Sequence, residues 1–108
     1  MVLKNVVAIV RKSVLGNVEE RLERAGVKGI TISSIKGFGE YANLYKEDWM
    51  VGHVKIEIFT EQSAVEDIVA AIMDSGHVGI AGDGLVAVHP VEKIFRIRSK
   101  AEVKPGEC

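Results

Sequence analysis

The sequence has one cysteine, no strong excess of either charge and no long apolar run. Because a single cysteine cannot form an internal disulfide, the fold does not depend on oxidation, and a cytoplasmic location is expected. The net charge of −1 argues against wholesale binding to nucleic acid, which requires a strong basic excess. The apolar runs are far too short to cross a bilayer. The N-terminal run lacks a small-residue cleavage site after it, which favours a first strand over a signal peptide.

Length and composition favour one domain with its own core. The chain has 108 residues, of which 47% are hydrophobic. Residues 1–100 are predicted to form that domain. Ala101–Cys108 is polar and aperiodic, and it is predicted to be a flexible C-terminal tail. A domain of this size buries a modest share of its surface, so association with further copies would stabilise it.

Apolar spacing and turn residues predict two helices among several short strands. Each helix has an apolar stripe at intervals of three and four residues. The helices are predicted to begin at two capping boxes and to end at two glycines: Asn17/Glu20, Ser63/Glu66, Gly26 and Gly76. The predicted strands are Val2–Val10, Lys28–Lys36, Val54–Ile58, Leu85–Val88 and Ile94–Arg98, with a turn at Pro90–Lys93.

This order of elements predicts an α+β, ferredoxin-like βαββαβ fold with one extra short strand. Two helices would cover one face of the sheet. The other face still carries apolar residues and needs a partner. A homo-oligomer packed sheet to sheet is therefore expected, although the pattern does not reveal its symmetry.

The segment from Gly76 to Lys100 combines a glycine-rich stretch with two arginines. The stretch places the glycines around one carboxylate, Asp83. Glycine lets backbone N–H groups approach a ligand closely, so such a stretch can wrap a phosphate. Arg96 and Arg98 would project from one strand face, about 7 Å apart, which suits an anionic ligand. Gly-Asp-Gly is also common at plain turns, and Arg-x-Arg on solvated strand faces, so neither motif decides alone.

A second pair of glycines lies around Phe38 and precedes the aperiodic stretch Glu40–Gly52. The Gly-Phe-Gly segment is either a strand end with a buried Phe or the base of a ligand-binding loop. The stretch after it holds three of the six aromatic residues among charged ones. It is interpreted as a recognition loop.

Motifs for catalysis and for zinc are missing from the sequence. No serine lies in a Gly-x-Ser-x-Gly elbow, and Cys108 falls in the predicted tail. His53, His77 and His89 have neither an i, i+4 partner nor a cysteine neighbour, so they form no zinc motif. An acylphosphatase-type enzyme would share the fold class, but the segment around Arg11 lacks the glycine-rich phosphate cradle it needs. The chain is therefore predicted not to be an enzyme.

Five short motifs, in this order along the chain, resemble the PII signal-transduction family. They are Lys36–Gly39, Val54–Ile58, Gly82–Gly84, Pro90–Glu92 and Arg96–Arg98. The resemblance covers nearly the whole chain, from the first strand onward. It implies a homotrimer of ferredoxin-like subunits with their sheets packed inward and an adenine nucleotide in each cleft between subunits.

The resemblance also implies which residues meet the nucleotide. One chain would supply the Gly-Phe-Gly segment and the glycine-rich stretch that wraps the phosphates, and the next chain would supply the two arginines. Two further residues would border the adenine and the ribose. The residues implied are Ile9, Thr31, Gly37, Phe38, Gly39, Gly79, Gly82, Asp83, Gly84, Arg96 and Arg98.

Several positions depart from the usual pattern of the family. The stretch Glu40–Gly52 is shorter than a usual T-loop. The glutamine that helps to hold magnesium and 2-oxoglutarate is missing, and Glu40 begins the dipeptide that replaces it. His53 and Leu85 stand where ordinary members have lysines. Since a triphosphate carries the most negative charge, these losses favour ADP or AMP over ATP, and 2-oxoglutarate is not expected to bind.

These departures resemble the PII-like branch, including members linked to carboxysomes or bicarbonate transporters. The expected function is adenylate-dependent signalling to a target protein or transporter through the loop Glu40–Gly52. Bicarbonate would need cationic or N–H donors near the nucleotide, and Arg11, Lys36 and His53 are candidates. No cofactor, no nucleic acid and no direct membrane insertion are expected.

Two other classes stay open at this point. One is a trimeric metal-binding or metal-tolerance protein of related fold, which would bind metal at its histidines and would not respond to nucleotide. The other is a purely structural scaffold, whose melting temperature would be indifferent to small ligands. Titration with adenylates separates both from the signalling class.

Overall fold

A computed structural model describes residues 1–35 and 52–108 of the chain. The elements in this part are β1 (Leu3–Arg11), α1 (Leu15–Arg24), β2 (Thr31–Ser34), β3 (His53–Glu61), α2 (Val65–Gly76), β4 (Gly84–Val91), β5 (Phe95–Arg96) and β6 (Ala101–Glu102). The first four strands form an antiparallel sheet in the order β2-β3-β1-β4, and β5 pairs with β6 in a separate ribbon. The predicted α+β fold is confirmed.

The core lies between the two helices and one face of the sheet. On β1, Val6, Ala8 and Val10 are at most 3% exposed and alternate with less buried neighbours. This alternation is the strand period of two, and it directs every second side chain toward the helices. The other large side chains of this core include Val18, Leu22, Ile56, Ile58, Ile68 and Ile72. Each fully buried side chain of this size stabilises the fold by roughly 1.5–3 kcal/mol.

The opposite face of the sheet carries no helix within the described residues. On this face Ile9 lies between Lys55 of β3 and Leu85 of β4, and Val7 pairs with Glu57 in the next row. Apolar and charged side chains are therefore mixed there, and Leu85 is 40% exposed. As the sequence predicted, this face still needs a partner surface.

Each helix begins after a short 3-10 turn, and the predicted capping boxes are wrong. The turns span Lys12–Val14 before α1 and Gln62–Ala64 before α2. Asn17 lies inside α1, Ser63 lies inside the second turn, and neither N-cap residue makes a side-chain hydrogen bond. The tighter bonds of a 3-10 turn occupy the first N–H groups, which a capping side chain would otherwise have to satisfy.

Strand β4 is longer than predicted and continues through the expected turn. It runs from Gly84 to Val91, and Pro90 within it faces Lys4 of β1. Proline cannot donate a ladder hydrogen bond, but β4 lies at the edge of the sheet, where one side of the strand has no partner strand within the described residues. The predicted turn at Pro90–Lys93 therefore begins later in the chain.

The C-terminal segment has more structure than the sequence predicted. Of the predicted strand Ile94–Arg98, only Phe95–Arg96 is regular, and it pairs with Ala101–Glu102 from the expected tail. Val103 is 4% exposed, and its N–H donates to the carbonyl of Ile94 at 2.8 Å. The burial of Val103, this hydrogen bond and the bond from the Gly106 N–H to Glu61 Oε2 at 3.1 Å together hold the C-terminal segment in place. Within the described residues, no helix is long and apolar enough to cross a membrane.

Candidate anion-binding site

The glycine loop, residues 77–83, connects α2 to β4 at one end of the sheet. At this end β1 finishes at Arg11 and β3 begins at His53, so two further strands lie beside the loop. Gly84, the first residue of β4 after the loop, has a φ of +110°, and a Cβ there would lie 1.8 Å from the carbonyl oxygen of Ile9. Only glycine lets β4 begin this close to the backbone of β1. The last glycine is therefore required by strand pairing, whatever the loop binds.

Asp83 organises the glycine loop from inside. Its Oδ2 accepts hydrogen bonds from the N–H groups of Val78 at 3.0 Å and of Gly79 at 2.8 Å. The Gly79 N–H is the largest cause that lowers the pKa of Asp83 to about 2, with the Val78 N–H and Arg11 acting in the same direction against desolvation. The carboxylate is therefore ionised at neutral pH. It accepts hydrogen bonds from two N–H groups that could otherwise donate to a phosphate.

Arg11 and His53 hold the glycine loop from two neighbouring strands. Arg11 Nε donates to Asp83 Oδ1 at 3.1 Å, and its Nη2 donates to the carbonyl of Ala81 at 2.6 Å. His53 is 3% exposed, and its Nε2 lies 2.8 Å from the carbonyl of Gly82. A carbonyl oxygen only accepts, so Nε2 carries the proton. His53 Nδ1 is also buried, and it has no hydrogen-bond partner among the described residues.

Gly52, the residue before β3, is tied to the same end of the sheet. The N–H of Lys12 donates to the carbonyl of Gly52 at 2.6 Å, directly before His53. His77, which is largely exposed, places its Nδ1 3.6 Å from Asp83 Oδ2. One network of contacts therefore joins the end of β1, the start of β3 and the glycine loop.

A small cavity lies beside the glycine loop. Its volume is about 130 Å³, and Ile9, Met73, Asp83 and Leu85 are among the residues that line it. Sites for small molecules usually enclose about 300–1,000 Å³. The described part of one chain therefore does not enclose a nucleotide at this position. Thr31 lies on β2 and does not line this cavity.

The two predicted arginines lie at the other end of the sheet. They follow the end of β4, an eight-residue strand that spans about 24 Å from the glycine loop to the other end of the sheet. Arg96 and Arg98 are exposed and line an open recess of about 820 Å³ together with Phe59 and Phe95. Arg96 Nη2 also donates to the carbonyl of Glu107 at 2.5 Å. Within one chain, the arginines and the glycine loop cannot meet the same ligand.

Comparison with known proteins decides the family. A family model described as nitrogen regulatory protein P-II matches residues 3–101. The chain belongs to the PII family. The P-II protein of Azospirillum brasilense is 39% identical over 104 residues, which cover 90% of this chain and 93% of the relative. The family predicted from the ordered motifs is confirmed.

Further PII relatives agree over most of the chain. The P-II protein of Pasteurella multocida is 34% identical and covers 93% of this chain and 96% of the relative. A crystal structure of Arabidopsis thaliana PII bound to citrate matches the fold with a TM-score of 0.83 at 32% identity, covering 98% of this chain and 92% of that chain. The fold and the regulatory family are thus shown together.

In this PII-family chain, apart from Thr31 on β2, the described site residues fall into two groups. The glycine loop with Asp83 and Ile9 lies at one end of the sheet, and the two arginines lie at the other. Lys36, Gly37, Phe38, Gly39 and residues 40–51 of the predicted recognition loop lie outside the described residues. Nucleotide contact by any of these residues stays a prediction. Within residues 1–35 and 52–108, no group of three or more His, Cys, Asp or Glu side chains is placed to hold a metal ion.

Sequence reasoning missed the contacts that Arg11 and His53 make with the loop. Both were predicted only as donors to bicarbonate, whereas the structure bonds both to the glycine loop. A signal was available, since the predicted sheet places the end of β1 beside the start of β4 if those strands are antiparallel. The loop before β4 then has to pass the residue that ends β1.

Proposed function

We propose that this PII-family protein is a homotrimeric, non-enzymatic, cytoplasmic sensor of adenine nucleotides. Each nucleotide lies between the glycine loop of one subunit and Arg96 and Arg98 of the next. Ile9 and Thr31 border the adenine and ribose side, and the Gly37–Gly39 segment lies at the base of the loop. The loop 40–52 carries the signal to a target protein, and a membrane transporter is one candidate for that target.

One observation carries this proposal: the two halves of the predicted site lie at opposite ends of one sheet, with strand β4, about 24 Å long, between them. Residues that serve one ligand but cannot meet within a chain have to come from two chains. The uncovered sheet face, with Ile9 and Leu85 on it, offers the surface on which copies can pack. Family membership favours the same reading.

The charge at the glycine loop favours the less charged adenylates. Of the described lysines and arginines, only Arg11 hydrogen-bonds to the loop, and its charge is matched by Asp83. Leu85 follows Gly84 where ordinary family members have a lysine. A triphosphate therefore gains little extra attraction at this loop, and ADP or AMP competes well with ATP.

Bicarbonate is retained as a second proposed ligand. Of its three predicted donors, Arg11 and His53 already bond to the glycine loop. Arg11 has five N–H groups and uses two of them in these bonds, so it is the described donor that bicarbonate could still reach. Calorimetric titration of ADP with and without bicarbonate tests this, and identical affinities would remove bicarbonate from the proposal.

Mixed trimers test the shared site. One chain carries a Gly82→Val change in the loop, the other carries Arg96→Ala with Arg98→Ala, and the two are co-expressed with different tags. Neither homotrimer should bind ADP. In a cyclic mixed trimer, however, one intact loop faces one intact arginine pair, so one site is restored. Purified mixed trimers that bind no ADP, although wild-type trimers do, would refute a site shared between chains.

A further inference from the structure

The ion pair between Arg11 and Asp83 lies inside the loop that is proposed to receive phosphates. Arg11 Nε and Asp83 Oδ1 are 3.1 Å apart, and the two side chains are only 22% and 24% exposed. Asp83 Oδ2 accepts from Val78 and Gly79 N–H at the same time. The carboxylate thus has a fixed position, with one oxygen for the backbone and one for the guanidinium.

An ionised carboxylate at this position repels an anionic ligand. The pKa of Asp83 is lowered to about 2, chiefly by the Gly79 N–H, so the repelling charge is present at neutral pH. Two cationic groups face it: Arg11, which is hydrogen-bonded to it, and His77, whose Nδ1 lies 3.6 Å away and which is 70% exposed. His77 adds charge only when it is protonated. Arg11 is the one of the two that hydrogen-bonds to Asp83, and it offsets the charge of the carboxylate.

The same guanidinium also fixes the shape of the loop. Its second bond, from Nη2 to the carbonyl of Ala81 at 2.6 Å, turns that carbonyl toward Arg11. Peptide units are rigid, so holding the Ala81 carbonyl constrains where the N–H of Gly82 points. Arg11 therefore influences both the charge of the loop and the direction of its backbone donors.

We propose that Arg11 is a positioning and specificity-determining residue of the glycine loop: it neutralises Asp83, and so sets how much ligand charge the loop tolerates. This inference rests on the proposed function, because it assumes that the anion is an adenine nucleotide phosphate. It differs from direct binding, since Arg11 acts through Asp83 and Ala81. Arg11 was predicted from the sequence as a donor to bicarbonate, and it is assigned here a role in selecting among nucleotides.

The test measures AMP, ADP and ATP affinity by calorimetry for wild type, Arg11→Gln, Arg11→Lys and Arg11→Gln combined with Asp83→Asn. Arg11→Gln leaves Asp83 unbalanced, so we expect affinity to fall about tenfold for ATP and about threefold or less for AMP. Arg11→Lys keeps the charge and should keep most of the affinity for all three. Asp83→Asn in the Arg11→Gln background removes the unbalanced charge and should recover part of the ATP loss.

A matched control comes from an ion pair of similar type elsewhere on the surface. Arg21 pairs with Asp74 at 2.5 Å between α1 and α2, and among the described residues neither side chain hydrogen-bonds to the glycine loop. Arg21→Gln should leave all three affinities unchanged. An equal loss for AMP and ATP in Arg11→Gln, no loss at all, or a further loss on adding Asp83→Asn would each overturn the inference.

A ligand-free measurement separates this inference from the proposed function. If the wild-type protein binds no adenylate, the proposed function fails, but the effect of Arg11 on Asp83 can still be tested. The amide NMR signal of Gly79 follows the titration of Asp83, because that N–H donates to the carboxylate. Arg11→Gln should raise the midpoint of this titration, since Arg11 favours the ionised form. An unchanged midpoint and unchanged amide signal would show that Arg11 does not act on Asp83.

Discussion

Gly84 leaves no room for a side chain, and this gives the sharpest stability prediction. Gly84→Ala would place a Cβ 1.8 Å from the carbonyl oxygen of Ile9, well inside the 3.0 Å that real contacts respect. The neighbouring atom is backbone, so no side chain can swing away. Either β4 moves off β1 at its first residues, or Ile9 leaves its place in the centre of the sheet.

The cost can be worked out from two terms. A non-glycine residue held at a φ of +110° costs about 1–3 kcal/mol. Separating the start of β4 from β1 loses ladder hydrogen bonds worth about 1 kcal/mol each, of which about two lie near Gly84. The expected loss is therefore roughly 3–5 kcal/mol, against a total stability of about 5–15 kcal/mol for a domain of ordinary stability.

Urea unfolding followed by circular dichroism, at one fixed protein concentration, measures this loss. Gly26→Ala is the matched control, because Gly26 has a φ of +88° but open space around it. The control should lose only about 1–2 kcal/mol from backbone strain. If both variants lose the same amount, the clash with Ile9 relaxes without cost, and the claim that Gly84 is fixed by strand pairing is refuted.

Three further predictions concern the glycine loop and the C-terminal ribbon. The pKa of Asp83 is depressed from 3.8 to about 2, so the stability that its ionised form contributes is complete above about pH 4 and is lost as the pH falls toward 2. In Asp83→Asn the urea midpoint of unfolding should therefore depend less on pH over this range. A pH profile identical to that of the wild type would contradict the loop geometry. His53→Leu should lose about 1–3 kcal/mol because the carbonyl of Gly82 loses its donor, whereas His53→Gln, which can still donate, should lose less in the same urea assay. Val103→Ala should lower stability by about 2 kcal/mol, since Val103 is 4% exposed, and a change below 0.5 kcal/mol would mean that the ribbon does not pack in solution.

The sheet was largely predictable because its signals are local and periodic. Alternating apolar residues locate β1 and β3, and the helical stripes locate α1 and α2. The predictions failed where a tertiary contact decides. The 3-10 turns follow from the path between strand and helix, β4 continues through Pro90 because it is an edge strand, and Val103 orders the C-terminal segment by packing.

The candidate site was predictable in part, and for a different reason. The glycine-rich stretch and the arginine pair are visible as motifs, so their residues could be named. Their separation by the length of β4 depends on the topology, and the pairing of Arg11 with Asp83 depends on side chains 72 positions apart in the chain. Sequence spacing says nothing about such a contact unless the strand order is known.

The two 3-10 turns expose a repeat in the architecture. Each half of the fold is a nine-residue strand, a three-residue 3-10 turn, a helix and an edge strand: β1 to β2, and β3 to β4. The connection from α2 to β4 is the glycine loop, and its counterpart from α1 to β2 contains Lys28 and Gly29, which border the recess of Arg96 and Arg98. Because β1 and β3 are antiparallel, these counterparts lie at opposite ends of the sheet. A ligand between the glycine loop of one copy and the Arg96 and Arg98 recess of a neighbouring copy would thus contact two equivalent connections of the fold. Within each chain, an internal pseudo-twofold axis relates these two connections.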